Sequence, residues 1–201
     1  MVVISYLSEP HVVIRNGRFC ESEVGRRTEK PNGQQLSLPL WCLKSHGDTM
    51  HELVHMLGFG HEHSRADRKR YVEIDFKNIA QEYLFNFVPY KDAHYLLQYL
   101  VPYDYESVVH YGPKNYVKFH KLTNIWSNRK PFKVRTNTYL SVLDQLKINI
   151  LYGCSDHADR LTDKCVDYFR DCRHLTDADC KHLYVKTVCR KSCNGCQFFE
   201  K

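Results

Sequence analysis

The chain has 201 residues, of which 43% are hydrophobic, and it carries a formal net charge of +6. No stretch approaches the roughly twenty consecutive apolar residues that a membrane-spanning helix needs, so we expect no transmembrane segment. The basic surplus is modest and no basic run carries interleaved aromatic residues, which argues against nucleic-acid binding. The composition therefore favours a globular protein whose partner is not a nucleic acid.

The first forty residues predict short strands. Residues 1–7 are apolar but too short for a signal-peptide core with its charged leader and cleavage site, so they predict a buried strand. Residues 11–15 predict a second strand. Residues 35–40, from Gln35 to Leu40, alternate polar and apolar side chains as a half-exposed strand does.

Three histidines follow at a spacing that suits a metal ion. His51 and His55 are four residues apart, so on a helix both rings project from one face and can bind one ion. Gly58 enters the left-handed conformation cheaply, which ends the helix and lets His61 return as a third ligand. The alternative is an amphipathic helix whose histidines fill or flank the core.

Glu52 completes the pattern HExxHxxGxxH. It is too close to His51 to share the metal comfortably, but it is well placed to hold a zinc-bound water and accept its proton. Neutral imidazoles leave the charge of a zinc ion in place, so the ion lowers the pKa of a bound water to about 7. The pattern therefore predicts a zinc peptidase whose fourth coordination position is open for water.

A helix is predicted near the end of the first 154 residues. Ser141 before Asp144 forms a capping-box pattern, which is typical of a helix N-terminus. Apolar residues then follow at helical spacing: Leu143, Leu146, Ile150 and Leu151. Residues 141–152 therefore predict a helix with a structural rather than a chemical role.

The nine cysteines divide the chain. Six of them lie between Cys165 and Cys196, and three lie in the first 154 residues. A tail of about forty residues buries too little apolar surface to fold without cross-links, so it predicts three disulfides and an oxidising compartment. The alternative is a zinc site built from Cys193, Cys196 and nearby histidines. Six cysteines permit fifteen pairings, and spacing alone does not choose among them.

The segment HELVHMLGFGHEHSRADR, from His51 to Arg68, resembles the astacin-type zinc metallopeptidases, a branch of the metzincins. Residues 105–112 resemble the Met-turn of that family, and residues 151–154 resemble its closing cysteine segment. The resemblance implies an α+β metzincin fold, in which a mixed sheet with an antiparallel edge strand lies over long helices. It also implies a metallopeptidase domain at residues 1–154.

Site roles follow from the same resemblance. It implies one zinc ion per chain held by His51, His55 and His61, with Glu52 as the general base. Tyr111 is implied to be a fifth zinc ligand at rest that hydrogen-bonds the oxyanion during cleavage, since a phenol suits both tasks. The alternative for Tyr111 is a buried core tyrosine.

The implied activity is hydrolysis of peptide bonds in extracellular proteins by a secreted enzyme. In the family, the strand expected from Gln35 to Leu40 is the sheet edge, to which an extended peptide substrate adds as another antiparallel strand. The competing interpretation is a catalytically inactive zinc-containing binding module or a truncated fragment. It is favoured by the absence from this chain of the family's N-terminal strand, helix and cysteine.

Val109 is a second departure from the family, since it replaces the Met-turn methionine. That methionine packs beneath the zinc, and valine is smaller and stiffer. We expect weaker activity or stability rather than loss of zinc. In the family, Glu62 pairs through water with the amino terminus of the matured enzyme, so it is expected to serve activation.

The cysteine order of the tail resembles the ShK toxin-like domain, which implies a domain at residues 165–196 after a linker at 155–164. The implied pairs are Cys165–Cys196, Cys172–Cys189 and Cys180–Cys193. No lysine directly precedes Tyr184, unlike in channel-blocking members, so targeting or substrate capture by an unknown partner is favoured. Cys20 and Cys42 match a family disulfide. Cys154 is left odd, because its usual partner lies in the absent N-terminal part.

Overall fold

The structure is a computed structural model that describes residues 10–90, 101–154 and 165–198. The strand expected at residues 1–7 and the linker expected at residues 155–164 lie outside the described residues. The strands are β1 (Val12–Arg15), β2 (Glu21–Ser22), β3 (Gln34–Ser37), β4 (Val72–Ile74) and β5 (Ile125–Ser127). The α-helices are α1 (Leu40–Leu43), α2 (His46–Met56), α3 (Val142–Leu151) and α4 (Leu183–Val188).

Short 3-10 helices connect these elements at Glu62–Ser64, Arg68–Arg70, Phe76–Asn78, Gln81–Phe87, Arg170–His174, Asp179–Lys181 and Gly195–Phe198. The predicted α+β class is confirmed. Within the part of the chain that the structure describes, no helix is long and apolar enough to cross a membrane. The chain divides into two compact units, Met1–Gly60 and His61–Lys201.

A three-stranded mixed sheet forms the first unit together with α2. The strand order is β1-β3-β2, with β3 parallel to β1 and antiparallel to β2. One side of α2 packs against this sheet, because Leu53 and Met56 contact a small core of Leu36, Leu38 and Cys42. The helix carrying the first two candidate metal ligands is thereby fixed to the sheet.

The prediction of a strand from Gln35 to Leu40 is wrong at its C-terminal end. The strand stops at Ser37, and Leu40 already begins helix α1. Pro39 precedes that helix with φ −61°, and a proline has no N–H to donate to a strand ladder. The proline therefore ends the strand and starts the helix.

The prediction that this segment is the sheet edge is also wrong. In the described residues β3 pairs on both sides, and the antiparallel edge strand is β2. Ser37, one of the two polar residues that made this segment resemble a half-exposed strand, is buried and has a hydrogen-bond partner, and the same is true of the preceding Gln34. Gln34 donates to the Gly25 carbonyl at 2.8 Å, and Ser37 donates to the Phe19 carbonyl at 2.5 Å.

The second unit contains the β4–β5 pair, helix α3 and the cysteine-rich tail. The predicted helix at 141–152 is confirmed as α3, with Ser141 and Asp144 forming the capping box. Its apolar face contributes Leu143 and Leu146 to the core of the unit. That core combines aliphatic residues and cysteines with the aromatic residues Phe87, Tyr103, Tyr105, Tyr111, Phe132, Tyr168 and Phe169.

The tail packs directly on the rest of the second unit. Tyr184 in α4 donates a hydrogen bond to the Tyr103 carbonyl at 2.6 Å. Both nitrogens at the tip of Arg135 bind the Asp171 carboxylate, at 2.7 and 2.6 Å. These contacts and the shared aromatic core hold residues 165–198 against the preceding part of the unit.

Candidate metal centre

The first two candidate ligands lie one turn apart on α2. The Nε2 atoms of His51 and His55 are 2.9 Å apart, and their rings meet edge to face with centroids separated by 4.5 Å. Nδ1 of His55 lies 2.7 Å from the carbonyl oxygen of Phe59, which can only accept a hydrogen bond. The proton of His55 is therefore on Nδ1, and Nε2 is in the form that binds a metal.

The neutral state of His55 has a physical cause. Burial, the largest cause, and the neighbouring His51 together lower the pKa of this imidazole to about 3, against a smaller opposing effect of the Phe59 carbonyl. A histidine must be unprotonated to bind a metal. The surroundings of His55 therefore keep it ready as a ligand at neutral pH.

His61 follows the helix after a glycine-dependent turn. Helix α2 ends at Met56, and Gly58 has φ +108°, so the expected helix stop is confirmed. The backbone N–H of His61 donates to the hydroxyl of Tyr90 at 2.9 Å. One ligand nitrogen from each of His51, His55 and His61 lies within 4.8 Å of the other two. Three imidazole nitrogens at this separation fit a zinc ion with one coordination position left for water.

Glu52 is buried on the same helix, with 8% of its surface exposed. The pKa of its carboxyl is raised to about 7, chiefly by burial; the backbone N–H of Ser22 opposes this shift, and the charges of Asp48 and Glu21 add to it. A carboxylate with a pKa near the working pH can both take up and release a proton. The Glu52 carboxyl can therefore exchange a proton near neutral pH.

Tyr111 lies against the third ligand. Its ring centroid is 4.4 Å from that of His61, and it stacks on His63 at 4.2 Å. The ring also belongs to the core of the second unit, with 6% of the residue exposed. Tyr111 is thus a buried tyrosine and a neighbour of a candidate ligand at once.

Val109, for which the family resemblance implies a methionine, is fully buried. Its carbonyl accepts a hydrogen bond from the backbone N–H of Glu62 at 3.1 Å, and its own N–H donates to Ser107 Oγ at 3.2 Å. The backbone of Val109 thus connects the turn to the residue after the third ligand. The expected weakening by valine stays a prediction.

Sequence reasoning missed the buried ion pairs next to His61. The side chain of Glu62 has no exposed surface, and its carboxylate contacts Arg65 at 3.0 Å and Lys147 at 3.1 Å. The same Lys147 ammonium lies 3.1 Å from Asp144. A signal was present in the sequence, because Lys147 follows Leu146 on the apolar face of α3, where a lysine is unexpected.

The structure joins eight of the nine cysteines. The bonds are Cys20–Cys42, Cys165–Cys196, Cys172–Cys189 and Cys180–Cys193. Cys154 is exposed and has no disulfide partner among the described residues. The tail cysteines are therefore joined to each other rather than arranged around a metal.

Comparison with known proteins identifies the family. The model of the peptidase family Astacin matches residues 4–153. The solved structure of High choriolytic enzyme 1, a hatching enzyme zinc-protease from the medaka fish Oryzias latipes, superposes with a TM-score of 0.66. It is 31% identical, and the match covers 76% of this chain and 73% of that chain.

Two curated relatives match at higher identity. The Astacin-like metalloendopeptidase of Mus musculus is 40% identical over 139 residues, which are 68% of this chain and 30% of that protein. Zinc metalloproteinase nas-14 of Caenorhabditis elegans is 38% identical over 148 residues, which are 73% of this chain and 28% of that protein. The chain thus spans less than a third of the length of these two relatives.

Proposed function

The chain belongs to the astacin family of peptidases, and from this premise we propose that it is a zinc-dependent metalloendopeptidase that cleaves extracellular proteins. The observation that carries the proposal is the proximity of the ligand nitrogens of His51, His55 and His61. The same helix carries Glu52, whose carboxyl has a pKa of about 7. A zinc ion held by these histidines would polarise the scissile carbonyl and lower the pKa of a bound water.

The chain's own residues carry the proton and the developing charge. Glu52 orients the attacking water, takes its proton and passes it to the leaving amine. The Tyr111 phenol donates a hydrogen bond to the oxyanion as the carbonyl carbon becomes tetrahedral. Its position beside His61 supports this role, because a donor near a metal ligand is near the reacting carbonyl.

The substrate is a peptide in extended form, and we propose strand β2 as the place where it binds. This replaces the segment from Gln35 to Leu40, which is not an edge. Among the described residues β2 pairs only with β3. Ser22 in β2 provides a backbone hydrogen bond to Glu52, so a peptide added beside β2 runs close to the proposed base.

The tail is proposed to be a ShK toxin-like domain at residues 165–196 that follows a linker at 155–164. Its three disulfides support this proposal. The hydroxyl of Tyr184 binds the carbonyl of Tyr103 within the same chain, which argues against its use in blocking a channel. We propose that the tail is fixed to the peptidase and serves targeting or substrate capture.

We also propose, from the disulfides, that the protein is secreted. Four disulfides in one chain form and persist in an oxidising compartment such as the extracellular space.

A second candidate function is a catalytically silent zinc-binding module. Val109 in place of the Met-turn methionine favours it, because the packing beneath the metal differs from that of the family. Glu52 argues against it, since a protein that only binds zinc has no need for a buried carboxylate between two ligands.

The test is cleavage of a broad mixture of quenched fluorogenic peptides by the purified protein. We expect cleavage that a zinc chelator abolishes and that added zinc restores. A folded protein with one zinc ion and no cleavage would favour the silent module, and cleavage that survives the chelator would contradict the zinc mechanism.

A further inference from the structure

Lys147 is a lysine with almost no contact with water. Its side chain is 1% exposed, and its ammonium lies 3.1 Å from Glu62 and 3.1 Å from Asp144. Both carboxylates are 0% exposed. Lysine is among the residues least often buried, and a buried charge is tolerated only when it is paired. Helix α3 therefore carries a cation that joins two buried anions from different parts of the chain.

One of these anions belongs to the segment of the third metal ligand. Glu62 directly follows His61, and its carboxylate also accepts hydrogen bonds from Arg65 at 3.0 Å and from the backbone N–H of Asp104 at 2.9 Å. Because neighbouring residues share a peptide bond, fixing the Glu62 side chain limits where the His61 imidazole can point.

The other anion belongs to the contacts of the turn that presents Tyr111. One oxygen of Asp144 accepts from the hydroxyl of Ser107 at 2.7 Å, and the other accepts from the backbone N–H of Val108 at 2.8 Å. Asp144 thus binds residues of the turn that leads to Tyr111. The ammonium of Lys147 connects this turn, through Asp144, to the segment of His61.

We propose that Lys147 is a positioning residue that holds the third zinc ligand, His61, and Tyr111 in a fixed position relative to each other. This inference rests on the proposed function. The ring separation of 4.4 Å between His61 and Tyr111 is the geometry it maintains. Without the ammonium, two buried carboxylates would lack their shared cation, and the two segments would move apart.

The experiment compares Lys147→Met, which keeps most of the length of the side chain and removes its charge, with Gln145→Met on the exposed side of the same helix. Lys147→Arg keeps the charge with a different shape, and it is measured in the same way if the methionine variant does not fold. The zinc dissociation constant is measured by chelator competition. Turnover is measured at saturating zinc, and the Co²⁺-substituted proteins are compared by absorption spectroscopy.

We expect Lys147→Met to bind zinc more weakly and to turn over more slowly by about ten- to a hundredfold, the usual effect of losing a residue that orients a ligand. KM should be unchanged, because substrate binding does not use this contact. In a Tyr111→Phe background the loss of turnover should be much smaller, since the residue being positioned has lost its hydroxyl. The Co²⁺ spectrum should change in Lys147→Met and not in Gln145→Met.

The inference is overturned if Lys147→Met loses only thermal stability while its zinc affinity, cobalt spectrum and turnover at saturating zinc match those of Gln145→Met. It is also overturned if its loss of turnover is the same with and without the Tyr111 hydroxyl. If the wild-type protein cleaves no peptide, the proposed function fails separately. Zinc affinity and the cobalt spectrum then decide whether Lys147 orients the ligand.

Discussion

At the scale of single residues, the candidate site depends on where protons lie. The Phe59 carbonyl fixes the proton of His55 on Nδ1, so that Nε2 has the lone pair with which it can bind a metal. A similar arrangement fixes His110, whose Nδ1 lies 2.6 Å from the Tyr111 carbonyl while Nε2 accepts from the Tyr103 hydroxyl at 2.7 Å. Burial also lowers the pKa of His110, which is neutral as a result. Backbone carbonyls thus decide the tautomers of His55 and His110.

Tyr111→Phe tests the proposed oxyanion donor. Loss of one such donor typically lowers kcat by about a hundred- to a thousandfold, and we expect a loss of that order with little change in KM. Steady-state kinetics on a fluorogenic peptide measures both constants. Tyr139→Phe, at a residue that is 70% exposed, is the matched control. A Tyr111→Phe variant as active as this control would show that Tyr111 is only a core residue.

At the scale of elements, the candidate metal site depends on where helix α2 ends as much as on the helix itself. Gly58 has φ +108°, a conformation that residues with a side chain rarely adopt, and the turn it makes leads to His61. Gly153, just after α3, has φ +68° and open space around the position of a Cβ. Both glycines therefore adopt a positive φ, but only Gly58 precedes a candidate metal ligand.

Gly58→Ala and Gly153→Ala form a matched pair. We expect each to lower the free energy of unfolding by about 1 kcal/mol, because alanine is strained at positive φ. Only Gly58→Ala should also weaken zinc binding, since it shifts His61. Chemical denaturation and chelator competition measure the two effects. Equal zinc affinity in both variants would contradict the role of this turn.

Much of these elements could be predicted from local patterns. The spacing of His51, His55 and His61 depends on a helix and one glycine turn, and the capping box of α3 needs only Ser141 and Asp144. Each of these two patterns lies within a short stretch of sequence, where the periodicity of residues predicts secondary structure.

The edge of the sheet and the buried ion pairs of Lys147 could not be predicted in this way. Whether β3 lies at an edge depends on β2 pairing with it, and that pairing does not follow from the alternation of residues 35–40. Gln34 and Ser37 look like solvent-facing residues until their carbonyl partners are known. Lys147 likewise forms an ion pair with Glu62, which is 85 residues away in the sequence.

At the scale of the whole molecule, the tail is bound by a charged contact as well as by aromatic packing. Burial raises the pKa of the Asp171 carboxyl, but the Arg135 guanidinium and the Lys133 backbone N–H outweigh this effect, and the net pKa is below its ordinary value. A carboxyl whose pKa is lowered by folding contributes stability above its ordinary pKa and loses it as the pH falls through the lowered value.

Asp171→Asn should therefore lower the Tm near neutral pH. The difference from wild type should shrink as the pH falls below the ordinary carboxyl pKa of 3.8, because the wild-type carboxyl is then protonated as well. Thermal unfolding at several pH values measures this. Asp177→Asn, at an exposed acid in the same tail, should change little at any pH. A difference for Asp171→Asn that is independent of pH would contradict the ionic contact.

The cysteine count makes another prediction for the whole molecule. Nine cysteines and four disulfides leave one thiol, on Cys154. We expect one reactive thiol per denatured, unreduced monomer in a colorimetric thiol assay, and none in Cys154→Ser. A pure monomer without a thiol would contradict this pairing.

The central claim of the proposed mechanism is that Glu52 transfers the proton of the attacking water. In this mechanism the three histidines bind the zinc ion and Glu52 is not a ligand. Glu52→Gln should bind one zinc ion per chain with the affinity of the wild type and lose turnover by several orders of magnitude. Metal content and peptide cleavage measured on the same samples test this directly. A Glu52→Gln variant that holds zinc and cleaves at the wild-type rate would contradict the mechanism.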